Sequence, residues 1–135
     1  MAFKIFHFLP VKTAQKTLLL LFSLILVFHT LVLVGYIPFQ MVWGGRLKSY
    51  EEMLAFETIS ILLNFIMLAV IAIDSGLLRI PVSRKVLQFS IGIMAVLFAI
   101  NTVGNIFSVN EMEKLIFTPV TAILSVLCIR LLVRD

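Results

Sequence analysis

The chain has 135 residues, 61% of them hydrophobic and 13% charged, with a mean hydropathy of +1.15. Soluble domains carry about 25% charged residues, so these totals exclude an ordinary soluble domain, and the length suits one domain. The net charge of +4 does not point to nucleic acid, because the basic residues sit at the ends of apolar runs, where they set topology and meet phosphate headgroups.

Residues 1–16 hold Lys4, Lys12 and Lys16 with Phe3, Phe6, Phe8 and Leu9 around Pro10. That mixture predicts an interfacial segment, aromatic side toward lipid and lysines among headgroups. The apolar run that follows is longer than the ~7–15 residues of a signal-peptide core, and no small-x-small site closes it, so it is expected to remain as a first span over 17–36. Such a stretch reaches across a ~30 Å hydrocarbon core at ~1.5 Å per residue. Further spans are expected at 53–73, 86–107 and 115–133. On that division Pro119 falls in the first turn of the last helix, where a missing N–H matters little. The expectation is an all-α membrane protein, a four-transmembrane-helix antiparallel bundle in a single integral domain over 1–135.

Lysine and arginine set its orientation. Eight lie in the N-terminal segment, the second loop and the C-terminal end; three lie in the first and third loops. The positive-inside rule then puts both termini in the cytoplasm, in a plasma membrane or, in a bacterium, the inner membrane.

Against this apolar background the polar residues stand out. Glu57, Ser60 and Asn64 fall at i, i+3 and i+7, one stripe of a helix. Ser90, Asn101, Gly104, Asn105 and Ser108 share a face of the third helix, and Thr118, Thr121 and Ser125 share one of the fourth. Lipid satisfies none of these groups, so the stripes must face one another or a watery cavity. Measured along each helix, His29 lies roughly 12 Å, Glu57 roughly 6 Å and Asn64 roughly 16 Å below the outer end. Polar side chains from all four helices thus gather in the outer half. The hydroxyls are also ordinary interhelical glue, or partners for their own helix's carbonyls.

Glu57 and Asp74 are separated by sixteen residues, about 24 Å of helix, less than the core thickness. Asp74 beside Ser75-Gly76 reads as a helix end, which leaves Glu57 as the inserted acid. Two roles are open for it. One is an acid at headgroup level paired with Arg46 or Lys48. The other is a ligand contact, or a general acid–base group partnered with His29, since burial disfavours the charged form of either side chain. Above it the Trp43-Gly44-Gly45-Arg46 loop offers a flat aromatic face beside a cation; it reads either as a lid over a ligand or as a flexible turn in an interfacial aromatic belt.

Candidate ligand-binding residues are therefore His29, Trp43, Arg46, Glu57, Asn64, Asn101, Asn105 and Thr121, with His29 and Glu57 the candidates for catalysis. No metal or cofactor is expected, since Cys128 stands alone and no His-x-x-x-His or Glu-x-x-His pattern occurs. The small residues Gly92, Ala95 and Ala99 on a second face of the third helix would permit close approach, between protomers of a homo-oligomer or against a neighbouring helix or lipid. A faint repeat aligns Glu57, Ser60 and Asn64 with Thr118, Thr121 and Ser125, as two helical hairpins related by a pseudo-twofold axis would. Beyond the lipid bilayer, the expected partner is a small or amphiphilic ligand held by a carrier, sensor or accessory subunit. The alternatives are a membrane enzyme using Glu57 and His29 for proton transfer on a lipid-soluble substrate, and a structural subunit of a larger complex.

Overall fold

The computed structural model describes residues 9–134, so the first half of the expected interfacial segment, residues 1–8, lies outside the described residues. The chain forms four long helices: α1 (Val11–Leu33), α2 (Tyr50–Asp74), α3 (Arg84–Ile106) and α4 (Glu111–Leu132). Each is long and apolar enough to cross a membrane.

Three of the helices begin earlier than their apolar runs suggest, and the reason is capping. The Ser49 side chain accepts from the Glu52 N–H at 3.1 Å, Ser83 from Val86 at 3.3 Å, and Asn110 from Glu113 at 3.0 Å. Each satisfies a backbone donor that a helix start leaves free. Helix α1 likewise starts at Val11, directly after Pro10, which places Lys12 and Lys16 on helix rather than in a separate segment. It ends at Leu33, where Gly35 takes φ +90° and the Tyr36 N–H reaches back to the Leu31 carbonyl at 2.9 Å. That left-handed closure needs glycine. It throws Tyr36 outside the helix, 82% exposed. The early start of α4 also moves Pro119 into the helix interior, not its first turn. Its missing N–H leaves the Leu115 carbonyl without the usual helical partner.

Gln15 meets Asp74 at one end of the bundle and His29 meets Glu57 near the other, so α1 and α2 run antiparallel. Ser125 on Ala95 and Asn105 on Phe117 do the same for α4 and α3. The two hairpins join through α1 against α4, whereas α2 and α3 touch little. A perfect pseudo-twofold would make those two seams alike; here one is closed and the other parted.

Two apolar clusters result. The larger, around Leu18, Phe22, Ile71, Ile91, Leu124 and Leu131, fills the half of the bundle nearest the chain ends. The smaller, Val32, Val42, Leu47 and Met53, lies under the α1–α2 loop. Cys128 belongs to the first and is fully buried. Outward-facing Leu24, Leu62, Phe65, Phe89, Val96 and Val126 are about half exposed or more, a coat with no water-compatible surface. Of the small residues on α3, Ala95 is buried with its carbonyl accepting from Ser125 at 2.8 Å, and a side chain at Gly92 would meet Leu132. Those two serve the α3–α4 contact, leaving Ala99 exposed.

Candidate functional site

Between the two apolar clusters lies a polar band with a cavity of about 440 Å³. Its position follows from the sequence spacing. Along α2 the order is Met53 in the upper cluster, then Glu57, Ser60 and Asn64, then Met67 in the lower cluster. Glu57, Ser60 and Asn64 are all buried, so the stripe does turn inward.

The His29 Nδ1 lies 2.6 Å from Glu57 Oε2, and the Trp43 indole N–H donates to Glu57 Oε1 at 3.2 Å. The carboxylate is fully buried while the His29 side chain keeps 16% exposure. A buried acid thus has a partner on each oxygen, which is what makes its burial tolerable. The expected pairing with the loop above does not form. Among the described residues Arg46 has no ion pair, and Lys48 offers Glu52 its backbone N–H at 2.9 Å. The geometric reason is that the loop turns its Trp43 ring, not its cations, down onto the acid.

All the candidate residues except Glu57 line the cavity; Glu57 sits behind His29 and Trp43. On the α3–α4 wall Asn105 Nδ2 donates to the Phe117 carbonyl and to Thr121 Oγ1, both at 3.2 Å, while Thr102 Oγ1 donates to Thr121 Oγ1 at 2.9 Å. On the facing wall Asn64 Nδ2 donates to the Ser60 carbonyl at 2.8 Å, and among the described residues its buried Oδ1 has no partner. Asn101 and Gly104 are exposed on α3, and Leu63 is exposed on α2. They mark an opening at the parted α2–α3 seam. Below the polar band the lining turns apolar, with Met67, Leu97, Phe98 and Leu124.

The roof is the Trp43–Arg46 loop. Trp43, Gly44 and Gly45 take φ of +55°, +69° and +71°, three left-handed residues in succession. For a tryptophan that conformation stores strain of about 1–3 kcal/mol, which persists only where surrounding contacts over-determine it. Those contacts come from the α3–α4 turn. The Val109 N–H donates to the Gly44 carbonyl at 3.1 Å, and the Gly44 N–H donates to Glu113 Oε1 at 3.2 Å. Gly45 is pressed so close that a Cβ there would lie 2.6 Å from Val109 Cγ2.

Glu113 is the cavity residue that sequence reasoning missed. It is buried, lines the cavity, and its second oxygen accepts from the Ser108 hydroxyl at 2.6 Å. The signal was present in Asn110-x-x-Glu113, a helix start of capping-box spacing, but the carboxylate reaches across to the roof instead of back to its own cap. Among the described residues no three His, Cys, Asp or Glu side chains gather as a metal would need.

Compared with protein-family models, curated proteins and solved structures, the chain matches none.

Proposed function

We propose that this chain is a multi-pass integral membrane protein, both termini cytoplasmic, that holds a small amphiphilic molecule in the cavity beneath the Trp43–Arg46 loop. It acts as a carrier, sensor or accessory subunit in a plasma or bacterial inner membrane. The observation that carries this reading is the cavity's division into a polar roof and an apolar floor, with a side opening at the parted α2–α3 seam. A membrane-dissolved molecule enters by such an opening without crossing a headgroup layer. Its polar end would lie with His29, Trp43, Arg46, Asn101 and Asn105, and its chain against Met67, Leu97 and Leu124. The volume falls within the ~300–1,000 Å³ of small-molecule sites. Bilayer insertion is supported by four sufficiently long apolar helices and their exposed Leu, Phe and Val coat. The orientation is supported by the eight-to-three division of Lys and Arg.

One observation favours a second reading. The 2.6 Å contact between His29 and Glu57 is the geometry of a proton-transfer pair, so a membrane enzyme acting on a lipid-soluble substrate is the alternative.

Gly104 supplies the test, because it borders the cavity and a Cβ there meets nothing within 4 Å. Gly104→Trp therefore starts its side chain in open space and adds bulk at the edge of the cavity. Lipid extracts of the purified wild type are expected to contain an amphiphile that is lost from the equally folded variant. Equal extracts would remove the ligand reading, and recovery of a chemically altered amphiphile after turnover would favour the enzyme. For orientation, Lys48→Cys in a Cys128→Ser background is expected to react with an impermeant maleimide from outside intact cells. Reaction only after lysis inverts the topology.

A further inference from the structure

The atoms that Glu57 engages leave one polar atom of His29 uncommitted. Glu57 accepts the Trp43 N–H on Oε1 and faces His29 Nδ1 on Oε2. Among the described residues Nε2 has no hydrogen-bond partner, and it belongs to a partly exposed side chain that lines the cavity. A carboxylate at Nδ1 holds the Nδ1–H tautomer, and a neutral ring so held presents Nε2 as a lone pair. The site therefore offers an acceptor to whatever head group enters.

The surrounding charges narrow that head group further. Two buried carboxylates, Glu57 and Glu113, stand at the roof and oppose a carboxylate or phosphate. Arg46 lines the same cavity without a carboxylate partner among the described residues and opposes an ammonium. A neutral donor satisfies both conditions.

We infer that His29 Nε2, with its tautomer fixed by Glu57, accepts a hydrogen bond from the hydroxyl head of a neutral, long-chain lipid alcohol. This rests on the amphiphile-binding reading and names the ligand class and the atom that selects it. Glu57 is the positioning residue, since it acts only through His29, and Trp43 holds the other carboxylate oxygen.

The chain contains one tryptophan, and it lies in the roof, so its fluorescence reports occupancy. The probes are dodecan-1-ol, its methyl ether and dodecylamine, added at matched mole fraction to the full chain in phosphatidylcholine nanodiscs. The ether keeps the chain and an acceptor oxygen but has no proton to give. The alcohol is expected to bind about tenfold more tightly than the ether, the scale of a hydrogen bond to a desolvated acceptor. In Glu57→Gln the amide donates to Nδ1, the ring moves its proton to Nε2, and the alcohol-to-ether ratio falls to about one. A merely structural loss would weaken both probes together and keep the ratio. Nitrogen-15 spectra of His29 check the same step without ligand, with Nδ1–H expected in the wild type and Nε2–H in Glu57→Gln. Equal binding of alcohol and ether to the wild type, or tighter binding of the amine, overturns the hydroxyl assignment and leaves the pocket reading standing. If no probe changes Trp43 fluorescence in the wild type, the pocket reading falls and takes this inference with it.

Discussion

Glu57 and Asp74 lie on the same helix, toward opposite ends, both with fully buried side chains, and their neighbourhoods differ in kind. Asp74 is surrounded by fixed charge. Arg84 donates to Oδ1 at 2.6 Å, Arg134 to both oxygens at 2.9 and 3.0 Å, and Gln15 to Oδ2 at 2.8 Å. One carboxylate thereby ties α1, α2, the start of α3 and the C-terminal end together, and it does not line the cavity. Glu57 has a histidine and an indole, neither a permanent cation, and both border the cavity. A buried acid answered on both oxygens by arginine, with a glutamine beside them, is a staple. A buried acid that holds a ring against an open space instead leaves that ring free to meet whatever enters, which is the part the proposed binding role gives to His29.

The largest expected effect breaks the staple. Asp74→Ala takes the carboxylate from Arg134 and Gln15, leaving them only backbone carbonyls, and should destabilise the protein by about 3 kcal/mol, the lower end for removing one partner of a buried ion pair because Arg84 is 44% exposed and rehydrates. Thermal unfolding in detergent measures it. Dodecan-1-ol affinity per folded molecule should not move. If affinity falls as far as stability, the two ends are coupled and the contrast between them fails.

Next in size is the roof. Gly45→Ala sets a Cβ against Val109 in a left-handed conformation, and should cost about 2 kcal/mol locally. Trp43 would lose its registration on Glu57, seen as a red shift in its emission at an unchanged far-ultraviolet signal. An unshifted Trp43 spectrum would mean the loop does not need this packing to hold the indole on the acid.

What the sequence disclosed, and what it hid, follows the same division. The Glu57–Ser60–Asn64 stripe was legible because a polar residue at helical spacing in an apolar run has few places to go. Helix number was legible for the same reason. Helix starts were not, because Ser49, Ser83 and Asn110 act through backbone donors that hydropathy does not register. Asp74 read as a helix end because its partners lie 59, 10 and 60 residues away in sequence, at Gln15, Arg84 and Arg134. Arg46 was the natural partner for Glu57 on charge, yet the left-handed run at 43–45 presents the indole instead. Backbone conformation outranked Coulomb attraction there, and no residue pattern encodes which side chain a three-residue turn aims downward.

The smallest effects compare two atoms of the polar band. Asn64 Oδ1 and Thr118 Oγ1 are both buried, and both lack a hydrogen-bond partner among the described residues. Asn64 lines the cavity and Thr118 does not. An unanswered buried polar atom is destabilising by about 1–3 kcal/mol, so each should be tolerated only if something offsets it. Thr118→Val keeps the shape and deletes the orphan hydroxyl. It should leave stability unchanged or raise it by up to about 1 kcal/mol, with probe binding untouched. Asn64→Leu removes the other orphan but also its bond to the Ser60 carbonyl, so its stability should stay within about 1 kcal/mol of wild type. The separating measurement is binding. Dodecan-1-ol affinity should drop for Asn64→Leu and hold for Thr118→Val, because only Asn64 stands where a bound molecule would touch it. Equal affinities in the two variants would place the ligand's polar end wholly on the His29 side of the cavity and remove Asn64 from the site.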